Sequence, residues 1–184
     1  MEGMDKKALM DAAASLLGEA DVMGGTPTPL YEALEDAVQH AVRLALDYTH
    51  WDFALTRAEV PVVDGCTEEL PEDCLEVREV EGVSNWRRAG NRIYAEGVQE
   101  LVVWYKSGKL AKTLNLPDNE PFFCEGCTLL LAAKAAPRVT GNFNLGVQLE
   151  KKAYAALYRA KLKEARSADS NDQKPNIESI WGSI

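Results

Sequence analysis

The hydrophobic repeat changes twice along this chain of 184 residues, and the double change limits the folds that it can adopt. In residues 1–57 the apolar side chains recur every three or four positions, as they do on one face of a helix. In residues 58–106 they tend to alternate with polar ones, which is typical of half-buried strands. The helical repeat returns over residues 107–166. We therefore predict an α+β fold that is mainly α, a helical bundle with a small inserted antiparallel β-subdomain and a flexible C-terminal tail.

The most clearly marked helix follows the stiff connector Thr-Pro-Thr-Pro at residues 26–29. Thr28 is suited to cap the N-terminus of this helix, and Pro29 is suited to its first position. The apolar residues that follow share one helical face: Leu30, Leu34, Ala37, Val38, Ala41, Ala45 and Tyr48. This helix is expected to pack against a core.

Two further helices are expected after the alternating segment. One covers about residues 122–136, with an apolar stripe that ends near Pro137 and the turn at residues 140–142. The last helix is defined by Leu145, Leu149, Ala153, Ala156, Leu157 and Ala160, with lysines and an arginine on its polar face.

The alternating segment contains a hairpin signal at Gly90-Asn91 and a basic-aromatic patch around it. The patch consists of Trp86, Arg87, Arg88 and Arg92. Such residues can contact phosphate, but solvent-facing arginines on a strand, or a contact to another subunit or a tail component, fit better.

The C-terminal residues 167–184 combine two compositions. Residues 167–176 have almost no apolar surface to offset the entropy of ordering, so we expect them to be disordered in the free subunit. Beyond them lies an apolar cluster: Ile177, Ile180, Trp181 and Ile184. A large aromatic side chain among isoleucines predicts a peptide that docks on a partner.

Charge and composition restrict the function. The net charge of −9 argues against tight, indiscriminate binding to a DNA duplex, although an acidic wall would let DNA slide past it. No apolar run approaches the roughly 20 residues that span a bilayer, so we expect no membrane association. With no sign of export, the four cysteines are expected to be reduced thiols.

Cys124 and Cys127 have the spacing of a redox pair or of half a zinc site. Cys66 and Cys74 are too far apart in sequence to supply the usual second half. Because Cys124 and Cys127 lie within an apolar helical pattern, we interpret them as core residues. The sequence thus predicts no catalytic residue, no cofactor and no metal, and a protein that is not an enzyme.

Several segments, in order along the chain, resemble the phage head–tail adaptor (connector) family of the tail tubular protein A type. They are ALMDAAASLLGEADV, THWDFALTRAEV, LPEDCLEVREVEG, NWRRAGNRIYAEGVQELVVWYK, PFFCEGCTLLLAAKAAPRVTGN and LGVQLEKKAYAALYRAKLKEARSAD. The resemblance implies a virion protein, assembled in the cytoplasm of the bacterial host, that forms a dodecameric ring beneath the portal protein. The ring would join the head to the next tail component, a nozzle or stopper-type protein, and would continue the DNA channel without binding DNA specifically.

Two other functions remain open from the residues alone. One is a bacterial DNA-associated regulatory protein that uses Arg87, Arg88 and Arg92. The other is a thiol or zinc enzyme that uses Cys124 and Cys127.

Overall fold

Five α-helices and six β-strands follow one another in a computed structural model of the chain, which describes residues 3–18 and 28–172. The helices are α1 (Lys6–Leu16), α2 (Pro29–Asp47), α3 (Lys109–Thr113), α4 (Pro121–Thr140) and α5 (Phe143–Asp172). The strands are β1 (Leu55–Val63), β2 (Cys66–Thr67), β3 (Cys74–Val80), β4 (Trp86–Ala89), β5 (Arg92–Ala95) and β6 (Glu100–Ser107). All strands therefore lie between α2 and α3.

Side-chain caps fix where the first two helices begin. The Asp5 carboxylate accepts a hydrogen bond from the Ala8 amide at 2.8 Å, and the Thr28 hydroxyl accepts one from the Tyr31 amide at 3.1 Å. Each cap satisfies one of the amides that a helix N-terminus leaves without a carbonyl partner. The predicted cap at Thr28, with Pro29 at the first helical position, is confirmed.

The helices bury one continuous apolar core, to which α1, α2, α4 and α5 contribute. The helix α4 lies at its centre, since twelve of its residues are buried and it contacts α1, α2 and α5. Gly141, with φ +65°, caps its C-terminus in the left-handed conformation. Among the described residues no helix is both long and apolar enough to cross a bilayer.

The six strands form one antiparallel sheet in the order β3-β6-β1-β2-β5-β4. The pairing of β1 with β6 is the longest, from Leu55 opposite Lys106 to Pro61 opposite Glu100. The sheet curls into a nearly closed barrel. It encloses its own apolar cluster: Val60, Leu70, Val80, Ile93, Ala95, Leu101 and Val103.

The predicted helical bundle with a small inserted sheet is therefore wrong. Strands make up 23% of the residues and helices 53%, and the sheet is a nearly closed barrel with a core of its own. Local periodicity showed the hairpin at Gly90-Asn91, which is confirmed by the pairing of β4 with β5. It could not show that β6 pairs with both β1 and β3, because these contacts join residues that are far apart in sequence.

The observed boundaries can be compared with the four predicted segments, residues 1–57, 58–106, 107–166 and 167–184. The strands occupy residues 55–107, and α5 continues to Asp172. The first residues of the predicted flexible tail are thus helical in backbone, and the rest of the tail lies outside the described residues.

A glycine permits the close approach of α4 and α5. A Cβ atom added at Gly126 on α4 would lie 2.5 Å from Cδ2 of Leu157 on α5. Leu157 is completely buried, so its side chain has little room to move away. The helices are consequently held closer than two side chains at this position would allow.

We predict that Gly126→Ala destabilises the protein by about 1 kcal/mol, since overpacking costs about 1–3 kcal/mol and the gain in helix propensity offsets about 1 kcal/mol. Chemical denaturation would measure the free energy of unfolding. In a Leu157→Ala background the clash is absent, so there the same substitution should stabilise the protein. A Gly126→Ala protein that is more stable than the wild type would contradict this account of the helix contact.

Candidate interaction surface

The helices and the barrel are joined by three aromatic rings in contact, two of them stacked and the third edge-on to both. Trp51 and Phe53 lie between α2 and β1, and their ring centroids lie 5.3 Å and 4.9 Å from that of Phe123 on α4. The indole nitrogen of Trp51 also donates a hydrogen bond to the carbonyl of Ala45 at 2.9 Å. Aromatic pairs at these distances stabilise the fold by more than the burial of their own surface. The segment THWDFALTRAEV therefore forms the joint that orients β1 on the helices.

A buried lysine strengthens the same joint. Lys106 on β6 is 6% exposed, and its ammonium group lies 3.3 Å from Glu76 on β3 and 3.8 Å from Asp47 at the end of α2. It also donates to the carbonyl of Leu46 at 3.4 Å, where a cation is favoured by the helix dipole. Burial would raise the pKa of the Glu76 carboxyl, but Lys106, with His50 and Arg78, lowers that pKa on balance.

An open cleft of about 370 Å³ lies beside this joint. Its lining mixes both charges with aromatic rings: His50, Trp51, Asp52, Leu55, Arg78, Glu79, Trp104 and Lys106. The charged groups are largely engaged with one another, since Arg78 contacts His50 at 2.6 Å and Glu76 at 3.4 Å. The cleft is thus part of the joint between helices and barrel, and its cationic groups His50, Arg78 and Lys106 are gathered around the Glu76 carboxylate.

The cysteines do not form a reactive cluster. Cys124 and Cys127 lie on α4, and both side chains are buried. Burial, followed by the charges of Asp118 and Glu120, raises the pKa of the Cys124 thiol to about 11, and burial raises the pKa of Cys127 well above its ordinary value. A thiol must be a thiolate to act as a nucleophile or a metal ligand, so burial here opposes both roles.

The four cysteines lie in two separate parts of the molecule. Cys66 and Cys74 lie on the strands β2 and β3, whereas the other two cysteines lie in the helical core. Within residues 3–18 and 28–172, no three His, Cys, Asp or Glu side chains are grouped so that they could hold a metal ion. The described residues therefore give no support to the zinc alternative.

The basic-aromatic patch predicted from the sequence is split between the two faces of the hairpin. Arg87 points outward, with its guanidinium 5.3 Å from the centre of the Tyr94 ring, a cation–π contact. Arg88 is half-buried and donates to the carbonyls of Gly90 and Leu75, and Trp86 packs against the core of the barrel. Arg92 is exposed. The four residues do not present one continuous surface, and their role in a contact stays a prediction.

The predicted docking cluster lies outside the described residues. It consists of Ile177, Ile180, Trp181 and Ile184.

A group of exposed apolar side chains on α5 was not predicted, and it holds five of the nine large apolar side chains that are exposed in the described part of the chain. We call it the α5 outer face, and it consists of Phe143, Val147, Tyr154, Tyr158 and Leu162, which are 39–72% exposed. At 3.6 residues per turn these five side chains fall within about 100° of arc and extend over about 28 Å. The buried side chains of α5 lie on the opposite side, against α4. The helix is therefore apolar on two faces, of which one is buried and the other is exposed, although Tyr154 at its edge stacks on Tyr48 at the end of α2, with ring centroids 5.9 Å apart.

Basic residues surround this face. Residues 143–166 carry six Lys or Arg and two Glu, although the whole chain is acidic. Lys151 and Lys161 lie within the arc of the outer face, and in the described part of the chain neither has an ion-pair partner. The charges on this side of α5 predicted that it faces solvent. The five apolar positions are separated by four or seven residues, and this spacing is a second helical pattern in the same segment.

An acidic counterpart lies on the outer surface of the barrel. The pairings of β1 with β2 and of β2 with β5 place Val63, Cys66 and Tyr94 in one row, with Val63 61% and Tyr94 40% exposed. Next to this row lies a shallow concavity of about 590 Å³, whose charged lining residues are Asp64, Glu68, Glu69 and Arg92. We call these residues together the Val63 patch: Val63, Asp64, Cys66, Glu68, Glu69, Arg92 and Tyr94.

Comparison with known proteins adds no relative to this description. No protein-family model matches the chain, and no curated protein matches it.

We predict that Lys106→Met destabilises the protein by about 1–2 kcal/mol, because a charge-assisted hydrogen bond and two ion pairs are lost. Chemical denaturation at several pH values would measure this loss of stability. The Glu76 pKa is lowered in the folded state, so this stabilisation is present above the unfolded pKa of about 4.3 and is lost as the pH falls below it. The difference in the free energy of unfolding between the wild type and Lys106→Met should therefore shrink at low pH.

The matched control is Lys112→Met, which removes an exposed ion pair to Glu72 and should change stability by less than about 0.5 kcal/mol. Equal effects of the two substitutions would contradict the importance of the buried lysine.

We predict that Cys124 and Cys127 in the folded protein do not react with a thiol reagent at about pH 8, because both are buried and protonated. Both should react once the protein is unfolded. The reaction can be followed by absorbance, and the control variant Cys124→Ser/Cys127→Ser should lack the two thiols that react only after unfolding. Rapid reaction of Cys124, or stoichiometric zinc in the purified protein, would contradict the interpretation of these residues as core.

Proposed function

We propose that this protein is a structural head–tail adaptor of a tailed phage. In this proposal, copies of the chain form a ring, of twelve subunits in the family that the sequence resembles, beneath the portal protein. The ring connects the head to the next tail component and surrounds the DNA that passes through its channel. The protein acts by shape and contact, and it performs no chemical reaction.

The observation that carries this proposal is the α5 outer face. Five large apolar side chains lie on one side of a long helix whose other side is already buried. A group of large exposed apolar side chains with charged residues among and around them is typical of a site of protein–protein contact. A subunit of a permanent assembly needs such a surface, and an independent enzyme does not.

The positions of the resembling segments agree with the proposal. In the described part of the chain each of them lies mainly in a helix, a strand or the joint between helices and barrel, so the similarity concerns the framework of the molecule. The segment THWDFALTRAEV places Trp51 and Phe53 against Phe123. A rigid joint of this kind suits a subunit that transmits force between two larger parts of a particle.

The two alternatives receive less support. A regulatory protein that grips a duplex needs a basic surface, but Arg87 is engaged with Tyr94 and Arg88 with two carbonyls. A thiol or zinc enzyme needs accessible thiolates, but burial keeps Cys124 and Cys127 protonated.

We predict that the purified protein, mixed with the portal protein encoded beside it, forms rings that stack on the portal in electron micrographs. Removal of residues 177–184 should abolish this attachment, because the segment carries the apolar cluster with Trp181, and should leave the circular dichroism spectrum unchanged. The matched control is a chain in which residues 167–176 are replaced by a Gly/Ser linker of the same length, which should still attach.

Two results would contradict the proposal. One is failure of the intact protein to bind its portal while it binds a DNA duplex at submicromolar concentration, with an affinity that rises as salt is lowered. The other is unfolding of the subunit on removal of residues 177–184, which would make that segment part of the core.

A further inference from the structure

We propose that the α5 outer face of one subunit binds the Val63 patch on the barrel of a second copy of this chain. The contact joins two different surfaces, so each subunit uses both and the assembly grows in one direction around a ring. This inference rests on the ring in the proposed function and names the surfaces that would build it.

Charge selects this partner. The segment 143–166 of α5 has six basic and two acidic side chains, whereas residues 55–107, which form the barrel, have eleven acidic and six basic ones. Opposite charges on two surfaces favour their encounter and fix their relative orientation. The most basic surface of an acidic protein is thus matched by the barrel of another copy.

Pairing of α5 with a second α5 is disfavoured by the same charges. In such a contact Lys151 and Lys161 of each copy would approach the basic face of the other. Like charges brought together across an interface are strongly unfavourable. A symmetric dimer through α5 is therefore less favourable than a contact between α5 and the barrel.

The Val63 patch offers the complementary surface. Val63 and Tyr94 supply exposed apolar area, and Asp64, Glu68 and Glu69 lie on its β1–β2 side. In the described part of the chain these three carboxylates form no ion pairs, so they are available to Lys151 and Lys161 of another copy. Arg87 and Arg92 occupy the β4–β5 side, which fixes the orientation in which the basic helix can approach.

The size of the surface sets the strength of the contact. A strip about 28 Å long and about 10 Å wide provides about 300 Å², compared with about 800 Å² per partner in a standard interface. The strip is consequently the apolar centre of a larger contact. The attraction between the charges at the rim of this contact is weakened by salt. Free subunits should associate weakly, and closure of a ring, which gives every subunit two contacts, should stabilise the assembly.

Sedimentation velocity of the full chain tests the inference. We expect association at about 0.1 M salt that is lost at about 1 M, because the screening length falls from about 10 Å to about 3 Å. The variant Lys151→Glu/Lys161→Glu should weaken association at low salt by about tenfold or more. The matched control, Lys7→Glu/Lys109→Glu, makes the same change of net charge at exposed positions off this face and should associate as the wild type does.

A second substitution tests the apolar part of the face without risk to the fold. Phe143 is 72% exposed, so Phe143→Ser should leave the melting temperature unchanged and should still reduce association. Unchanged association of both this variant and the lysine variant would overturn the inference.

Mixing two defective variants tests whether the contact joins different surfaces. Lys151→Glu/Lys161→Glu retains the Val63 patch, and Glu68→Lys/Glu69→Lys retains the α5 outer face. Each variant alone should stay monomeric because like charges then face each other, whereas in their mixture every reversed surface meets one of opposite charge, so the two variants should assemble together in alternation. Self-association of Glu68→Lys/Glu69→Lys alone would overturn the inference. It would favour a symmetric contact or another occupant of the α5 outer face, such as residues 173–184.

The same variants separate this inference from the proposed function. If the subunits associate as described but do not bind the portal, the contact stands and the adaptor function fails. If rings bind the portal while both charge-reversed variants assemble normally, the adaptor function stands and the surfaces proposed here are wrong.

Discussion

The packing of Trp51 and Phe53 against Phe123 is the contact on which the arrangement of the molecule depends. These rings join the end of α2, the beginning of the barrel and the centre of α4 within one cluster. Because β1 starts two residues after Phe53, the direction of the first strand is fixed by the helical core. The strand β6 pairs with β1 over seven residues and carries Lys106 back to the end of α2. The barrel is thus attached at both ends of its chain segment.

This attachment links the two proposed contact surfaces, the α5 outer face and the Val63 patch. The helix α5 is packed along α4, and the Glu164 carboxylate accepts a hydrogen bond from the amide of Asp52 in the joint. Burial raises the pKa of Glu164, as expected for a carboxyl enclosed between α5 and the joint. The α5 outer face and the Val63 patch are therefore connected through this joint. A fixed relation between two complementary surfaces is what a closed ring requires, because the angle between them sets the number of subunits.

Local features of the fold were predictable from the sequence, and long-range ones were not. Thr28 with Pro29, and Gly90 with Asn91, mark a helix start and a hairpin through the conformations of a few adjacent residues. The closure of the barrel depends on the pairing of β6 with two strands distant in sequence, which no local pattern encodes. The α5 outer face was missed because Lys151 and Lys161 interrupt it, and the stronger buried pattern of the same helix explained most of its apolar residues.

The proposed adaptor function is tested most directly by a cryo-electron microscopy reconstruction of tailed phage particles whose genome encodes this chain. We expect a ring of this fold between the portal and the tail, with the α5 helix of each subunit against the barrel of its neighbour. A reconstruction in which the protein is absent from the particle, or present at a position remote from the portal, would contradict the adaptor function.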